Sequence, residues 1–336
     1  MPTKALALDF YGTQVALRGD DEGVLEELAR DFAYFLAPEA RGRPDVSLEL
    51  KRRAPAPERV PRRAHWRWRS ARVNQKGPLR TIDYEGRALL EYDLREERGV
   101  LTCGDGALLH ELAYLAVLSR AGERMDRADL HRVHALGFTF QGKGGLLLLP
   151  SGGGKSKLGL ELLRRGGFGL LSDDTPLVKD GGRALAAFTL RLGLRGEDWR
   201  GIPERFLRPF HRRRFGDKRV VDLDYFRGQV SAVAPLRWIL VGSRNGAPGP
   251  DLKPCSAART AAALAANLVL GLGTPQVLEL MAPCAPYAQW ALRLAKIAAK
   301  RAACAARAAA TARCGRFRLG SDVRANAAAL EAFLVG

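Results

Sequence analysis

The sequence predicts an α/β fold in which a sheet domain follows an α+β domain. After residue 130, buried apolar strands are followed by helices, and a glycine-rich loop joins one of these strands to its helix. Before residue 130, short strands with period-two alternation lie between amphipathic helices. With roughly 100–200 residues per domain, the 336 residues accommodate both, and we predict domains at 1–129 and 130–336.

The N-terminal segment has the pattern of a helix, hairpins and a second helix. Residues 20–36 predict an amphipathic helix because four apolar side chains recur on one face, namely Leu25, Leu28, Phe32 and Phe35. Residues 81–103 alternate with period two around turn signals at 85–86 and 98–99, which predicts antiparallel hairpins. A second helix is predicted over residues 107–119.

The C-terminal segment supplies the predicted α/β sheet. Strands are predicted at 133–140, 145–149, 168–172 and 236–242. A helix is predicted at 155–165, directly after the glycine-rich loop, and alanine-rich stretches predict further helices at 256–270, 286–311 and 323–333. Strand 236–242 is apolar almost throughout, which is typical of a sheet covered on both faces.

Composition favours a soluble globular protein and excludes several classes. Hydrophobic residues make up 47% and charged residues 27%, and no apolar run approaches the ~20 residues of a membrane span. The N-terminus lacks the pattern of a signal peptide, so we expect a cytoplasmic protein. Five cysteines without CxxC spacing indicate a reduced compartment, with neither a disulfide framework nor a zinc site.

The net charge of +18 comes from arginines spread over the whole chain. Such a surface attracts polyanions without binding any of them specifically. Segment 62–69 interleaves arginines with Trp66 and Trp68, but a strand with one packed tryptophan face explains this pattern equally well. We therefore expect a solvated arginine-rich surface, and the alternative is a protein that binds nucleic acid through its overall charge.

The loop after the strand at 145–149 has the composition of a phosphate-binding loop. Gly152, Gly153 and Gly154 place no Cβ atoms in front of the backbone N–H groups, and a helix begins directly after them. Successive N–H groups and the amino end of a helix form a concavity that holds a phosphate chain. The alternative interpretation is a flexible glycine-rich loop without a ligand.

The residues that flank these glycines complete the phosphate-binding pattern. In such loops the lysine, here Lys155, contacts the β- and γ-phosphates, and the following hydroxyl, here Ser156, ligates Mg²⁺. We assign Ser151 and Lys157 to the same nucleotide-binding loop. Leu149 stands where the standard pattern has its first glycine, so the match is incomplete.

Two adjacent carboxylates, Asp173 and Asp174, follow the predicted strand at 168–172. Ligands of open α/β sheets bind outside the carboxyl ends of the strands, so we expect this pair to face the loop. Phosphoryl transfer uses carboxylates for the metal and for the proton of the attacking hydroxyl. Adjacent carboxylates in a partly buried site also raise one another's pKa, which suits a base. A plain strand-end turn is the alternative interpretation.

These residues and their spacing resemble the catalytic domain of the HPr kinase/phosphorylase family. The resemblance covers residues 131–176 and includes His134, which precedes Lys155 by the same 21 residues as in the family. It extends through the helix after the loop to the Asp-Asp pair. The resemblance implies the nucleotide-binding α/β fold that this family shares with phosphoenolpyruvate carboxykinases.

The resemblance also implies roles for individual residues. Asp173 is expected to be the general base, Asp174 a metal or water partner, and His134 a neighbour of the transferred phosphate, although a lone histidine is also common in packing. The family's Glu-x-Arg-Gly-x-Gly signature has no counterpart glutamate in residues 188–196. The chain is therefore similar to HPr-kinase-related proteins of peptide-modification and natural-product cassettes, in which a serine hydroxyl is the expected acceptor.

Two further basic groups are candidates for phosphate contacts. Arg191 and Arg195 flank a predicted strand after the aspartate pair, and residues 211–219 form a basic run that could close over phosphates as a lid. In a chain this rich in arginine, a solvated surface is the alternative for both groups.

The sequence thus predicts an ATP-dependent, Mg²⁺-requiring kinase acting on a serine-like hydroxyl of a peptide, protein or small molecule. The alternative is a regulatory module that binds nucleotide without transferring phosphate, which the missing first glycine and the missing glutamate favour. We expect the domain at 1–129 to recognise the acceptor. The sequence leaves open a homo-oligomer and the choice between ATP and GTP.

Overall fold

The computed structural model describes residues 4–38, 42–61, 63–194, 198–210, 218–269, 277–282 and 287–336. It has a mixed α/β architecture with several sheets, as the sequence predicts. The chain forms two compact units, Met1–Met125 with Pro275–Arg293 (unit 1) and Asp126–Thr274 with Leu294–Gly336 (unit 2). The domain assignment at 1–129 and 130–336 stays a prediction. No helix in the described ranges combines the length and apolarity that crossing a membrane requires.

Unit 1 is built on one sheet. Its strands are β1 (Lys4–Phe10), β2 (Thr13–Gly19), β3 (Leu36–Ala37), β4 (Val46–Lys51), β5 (Trp66–Trp68), β6 (Ala71–Lys76), β7 (Leu79–Tyr84), β8 (Ala88–Asp93) and β9 (Arg98–Cys103). The strand order is β3-β1-β2-β4-β9-β8-β7-β6-β5. Antiparallel pairing of β7, β8 and β9 confirms the predicted hairpins. The turn predicted at 98–99 is wrong, because both residues pair within β9 and the chain turns at 94–97.

Helices α1 (Glu22–Asp31) and α2 (Gly106–Arg127) belong largely to this unit. The helix predicted at 20–36 ends earlier, and Ala33–Phe35 form a 3-10 turn that keeps Phe35 in the core. The ring of Phe32 stacks on Tyr114 of α2 with centroids 5.2 Å apart. Helix α2 runs past the predicted 107–119, because its later turns also bury apolar side chains such as Met125.

Unit 2 contains the remaining strands and most of the remaining helices. Its strands are β10 (His131–Arg132), β11 (Leu136–Phe140), β12 (Lys143–Leu148), β13 (Phe168–Ser172), β14 (Leu177–Lys179), β15 (Ala184–Ala186), β16 (Leu192–Leu194), β17 (Leu207–Phe210), β18 (Lys218–Val221), β19 (Val233–Arg244), β20 (Asp251–Pro254) and β21 (Arg313–Leu319). The helices that follow in the chain are α3 (Lys155–Leu163), α4 (Ala257–Leu268), α5 (Leu278–Met281, in unit 1), α6 (Tyr287–Thr311) and α7 (Val323–Val335). Helices α3, α4, α6 and α7 lie where the sequence predicts them.

The strand directions in unit 2 bring several strand ends to one edge of the sheet. Strand β12 pairs in parallel with β19, which pairs in parallel with β21. On its other side β12 pairs antiparallel with β11, which pairs antiparallel with β13. Strand β13 therefore runs in the same direction as β12, and the carboxyl ends of β12, β13 and β19 face the same edge. Strands β16, β18 and β17 form a separate small sheet.

The strand predicted at 133–140 is wrong in its first part. Its second part forms β11, whereas the segment 133–135, which carries His134, is irregular. Two backbone hydrogen bonds hold this segment against the turn after β13: the N–H of Val133 donates to Pro176 O, and the N–H of Ala135 donates to Asp174 O, each at 3.1 Å. Tertiary hydrogen bonds to another segment thus replace the strand pairing that the local pattern indicates.

Candidate functional site

The loop between β12 and α3 has the backbone that its glycines allow. Gly152 and Gly154 have φ values of +77° and +97°, in the left-handed region that residues with a Cβ rarely adopt. The N–H of Gly153 donates to Pro150 O at 2.9 Å and closes a tight turn. Gly154 is the N-cap of α3, and no side chain caps this helix end. The first-turn N–H groups of α3 therefore face the loop without intrahelical partners.

The neighbouring strand accommodates Leu149, the residue that replaces the first glycine of the standard pattern. Leu149 is only 2% exposed. A Cβ atom on Gly242 of β19 would lie 2.7 Å from both Cγ and Cδ2 of Leu149, and 2.9 Å from Leu148 O. The absent side chain of Gly242 thus leaves the space that Leu149 fills, and the loop keeps its turn without the first glycine.

Lys155 lies buried beneath the loop and is 5% exposed. Its Nζ donates to Leu149 O at 2.8 Å and to Pro150 O at 3.2 Å, and lies 2.9 Å from His134 Nε2. Asp174 Oδ1 is 3.9 Å away. Burial lowers the pKa of Lys155, and the negative charges of Asp174 and Asp173 partly offset this effect.

The aspartate pair faces the loop. The Ser156 hydroxyl donates to Asp173 Oδ2 at 2.8 Å. Burial raises the pKa of Asp173 to about 6, and the neighbouring charge of Asp174 adds to the rise, while hydrogen bonds from Ser156 and from the backbone of Gly193 oppose it. The pair also forms a turn, since Ser172 Oγ accepts the N–H of Asp174 at 3.3 Å. The turn interpretation and the site interpretation therefore describe the same segment.

His134 connects the lysine to the second aspartate. Its Nε2 contacts Lys155 Nζ and lies 3.5 Å from Ser151 Oγ. Its Nδ1 lies 3.1 Å from Asp174 Oδ1, without hydrogen-bond geometry. The imidazole is 2% exposed. A lysine ammonium can only donate, so Nε2 is the acceptor in this contact.

The other residues that the sequence predicts to contact phosphates lie in different surroundings. The side chain of Lys157 pairs with Asp198, with Nζ 2.9 Å from Oδ1. Arg191 is buried just before β16. Arg219 stacks on the Trp199 ring at 4.2 Å. Arg195 and residues 211–217 of the predicted lid lie outside the described residues.

Sequence reasoning missed Arg244 at the end of β19. A Cβ placed on Gly154 would lie 3.7 Å from Arg244 Nη2, so the guanidinium stands beside the amino end of α3. The predicted strand at 236–242 stopped two residues short of it. The rule that ligands bind at carboxyl ends of strands, applied to this strand as well, could have found it.

The residues at this edge fit a Mg²⁺ ion held together with phosphates. Mg²⁺ takes oxygen ligands and usually keeps several waters, so one or two protein oxygens suffice. A serine hydroxyl has one proton and two lone pairs, so Ser156 can donate to Asp173 while its oxygen ligates the ion. Over the part of the chain that the structure describes, no group of three or more His, Cys, Asp or Glu side chains could hold a metal alone.

Comparison with known proteins adds little to this geometry. The chain matches no family model and no curated protein. The solved structure of the Hpr(Ser) kinase/phosphatase from Coxiella burnetii is similar at 18% sequence identity with a TM-score of 0.22. The similarity covers 34% of this chain and 65% of that chain, so the chain spans less than two thirds of that protein's length. At these values the similarity carries no conclusion about this chain.

Proposed function

We propose that the chain binds ATP with Mg²⁺ at residues 149–157 and transfers the γ-phosphate to a serine-like hydroxyl of a peptide, protein or small molecule. One observation carries the proposal. Residues far apart in sequence meet at one sheet edge, where Ser156 contacts Asp173 at 2.8 Å and Lys155 lies 3.9 Å from Asp174. A lysine, a hydroxyl and two carboxylates at an uncapped helix start are the groups that phosphoryl transfer requires.

The loop holds the phosphates in this proposal. The backbone N–H groups of residues 154–157 bind phosphate oxygens, and the amino end of α3 favours their negative charge. The Lys155 ammonium exchanges its bonds to Leu149 O and Pro150 O for the β- and γ-phosphates. Ser156 and Asp174 supply oxygen atoms for Mg²⁺, which when bound neutralises charge on the phosphates.

Asp173 accepts the proton of the attacking hydroxyl. The hydroxyl oxygen forms a bond to the γ-phosphorus, the bond from this phosphorus to the bridging oxygen breaks, and ADP leaves. A carboxylate whose pKa is raised to about 6 is still ionised at neutral pH and is a stronger base than an ordinary aspartate. His134 orients Lys155 and Asp174 from beneath, where it contacts both.

Binding is tested by titrating the protein with Mg·ATP and Mg·GTP in a calorimeter. Lys155→Ala removes the buried ammonium, and we expect it to abolish binding. The matched control is Lys143→Ala, an exposed lysine at the opposite end of β12, which carries the same charge change and is expected to bind as the wild type does. Absence of binding to the wild-type protein would overturn the proposal.

A nucleotide-binding module without phosphoryl transfer is the second candidate. The family's glutamate has no counterpart in residues 188–196, and Thr189 of this stretch is 2% exposed and donates through Oγ1 to Leu171 O at 2.7 Å. Incubation with γ-labelled ATP and serine-containing peptides, proteins and small hydroxyl compounds separates the two functions. We expect Asp173→Asn to bind nucleotide and lose transfer. Wild-type protein that binds ATP but labels no acceptor would favour the module.

A further inference from the structure

Arg244 occupies a position that the proposed function does not yet use. It is the last residue of β19, and its side chain is exposed. Strands β19 and β12 are adjacent and parallel, with Val241 opposite Leu148. The residues after Leu148 form the loop, so Arg244 extends beyond the sheet edge on the same side as the loop. Its Nη2 atom lies 3.7 Å from the position that a Cβ atom of Gly154 would take.

Positively charged groups lie near Arg244 on its side of the loop. The amino end of α3 carries the positive end of the helix dipole and has no side-chain cap. The buried Lys155 ammonium belongs to the first turn of the same helix. A guanidinium beside these groups is repelled by both unless an anion lies between them.

Two other arginines of this unit pair with carboxylates. Arg316 on β21 pairs with Asp251 at 3.3 Å, and Arg165 at the end of α3 pairs with Glu331 at 2.9 Å. Within the described ranges, no carboxylate lies within ion-pair distance of Arg244. The position of its guanidinium beside an uncapped helix start therefore suits an anionic ligand better than a structural role.

We propose that Arg244 binds phosphate oxygens of the nucleotide in the loop and covers it from the β19 side. This assignment rests on the proposed function. A guanidinium is planar and donates two parallel hydrogen bonds to a phosphate, which a lysine ammonium cannot do. Gly154 contributes because it has no side chain, which would otherwise stand between its backbone and the guanidinium of Arg244.

The test measures equilibrium binding of Mg·ATP and of inorganic tripolyphosphate with Mg²⁺ to four proteins: wild type, Arg244→Ala, Arg244→Lys and Arg237→Ala. Arg237 is the matched control, an exposed arginine seven residues earlier on β19, about 23 Å away at ~3.3 Å per residue. Arg244→Ala should weaken both ligands about tenfold or more, the range for hydrogen bonds to charged groups. Arg244→Lys should retain part of the affinity, and Arg237→Ala should stay within about twofold of wild type.

Each other outcome overturns the assignment. Equal losses for Arg244→Ala and Arg237→Ala would show that only the overall charge of the chain matters. A loss for ATP without a loss for tripolyphosphate would place Arg244 at the base or ribose. If Lys155→Ala abolishes binding and Arg244→Ala does not weaken it, this inference fails while the proposed function stands. If the wild type binds neither ligand, both fail.

Discussion

Removing the charge of Asp173 should stabilise the protein above pH 6, although the same change should abolish transfer. Burial and the charge of Asp174 raise the pKa of Asp173 to about 6 from an ordinary 3.8. The folded protein therefore holds this proton more tightly than the unfolded chain does. As the pH rises from about 4 to 6, the unfolded chain ionises first, and the wild type loses stability. The difference in pKa corresponds to at most about 3 kcal/mol.

Asp173→Asn keeps the size of the side chain and removes its titration. We expect the free energy of urea unfolding of this variant, relative to wild type, to rise between pH 4 and pH 7 by up to about 3 kcal/mol, and to change little above pH 7. The control is Asp224→Asn, an exposed carboxylate that pairs with Arg227 at 2.8 Å and should show no comparable dependence on pH. The reasoning is refuted if the variant is no more stable than wild type at pH 8 and the difference between their unfolding free energies is the same at pH 4 and pH 8.

Two further predictions follow from the same contacts. The rate of phosphate transfer at subsaturating acceptor should rise about tenfold per pH unit below pH 6 and level off above it, because Asp173 must lose its proton to act as a base; a rate independent of pH between 5 and 7 would argue against this role. Gly242→Ala places a Cβ atom 2.7 Å from Leu149 side-chain atoms, so it should cost about 1–3 kcal/mol of stability and weaken Mg·ATP binding through the displaced loop. Gly228→Ala, where a Cβ atom meets nothing within 4 Å, is its control in thermal melts and calorimetry, and equal effects of the two variants would contradict the prediction.

The local elements around the loop could be predicted because their signals lie within a few residues. The apolar run before Ser151 and the helix after Gly154 need no distant information. The contact between Asp173 and Ser156 was also predictable, but the rule about the carboxyl ends of strands explains it only in part. Strands β12 and β13 are not neighbours, and their common direction depends on β11, which lies between them and is antiparallel to both.

Other features depend on contacts that the sequence does not reveal. Leu149 counts against a phosphate-binding loop when the motif is considered alone. The compensating residue, Gly242, lies on a strand that reaches Leu149 only after the sheet forms. His134 leaves strand geometry because backbone groups near Asp174 hold its segment. In both cases a tertiary contact overrides a local pattern, which single-sequence reasoning cannot weigh.

The distribution of charge in the site bears on which ligand it suits. Arg244, Lys155 and the amino end of α3 would attract a phosphate chain, while Asp173 and Asp174 lie on the opposite side of Lys155 from Arg244's strand and would repel it. A free triphosphate is attracted by the positive groups and repelled by the two carboxylates. A triphosphate that carries Mg²⁺ brings a cation for the carboxylates and anionic oxygens for the lysine and arginine, so both sets of charges are paired at once. We therefore expect the site to bind the metal complex more tightly than either component alone.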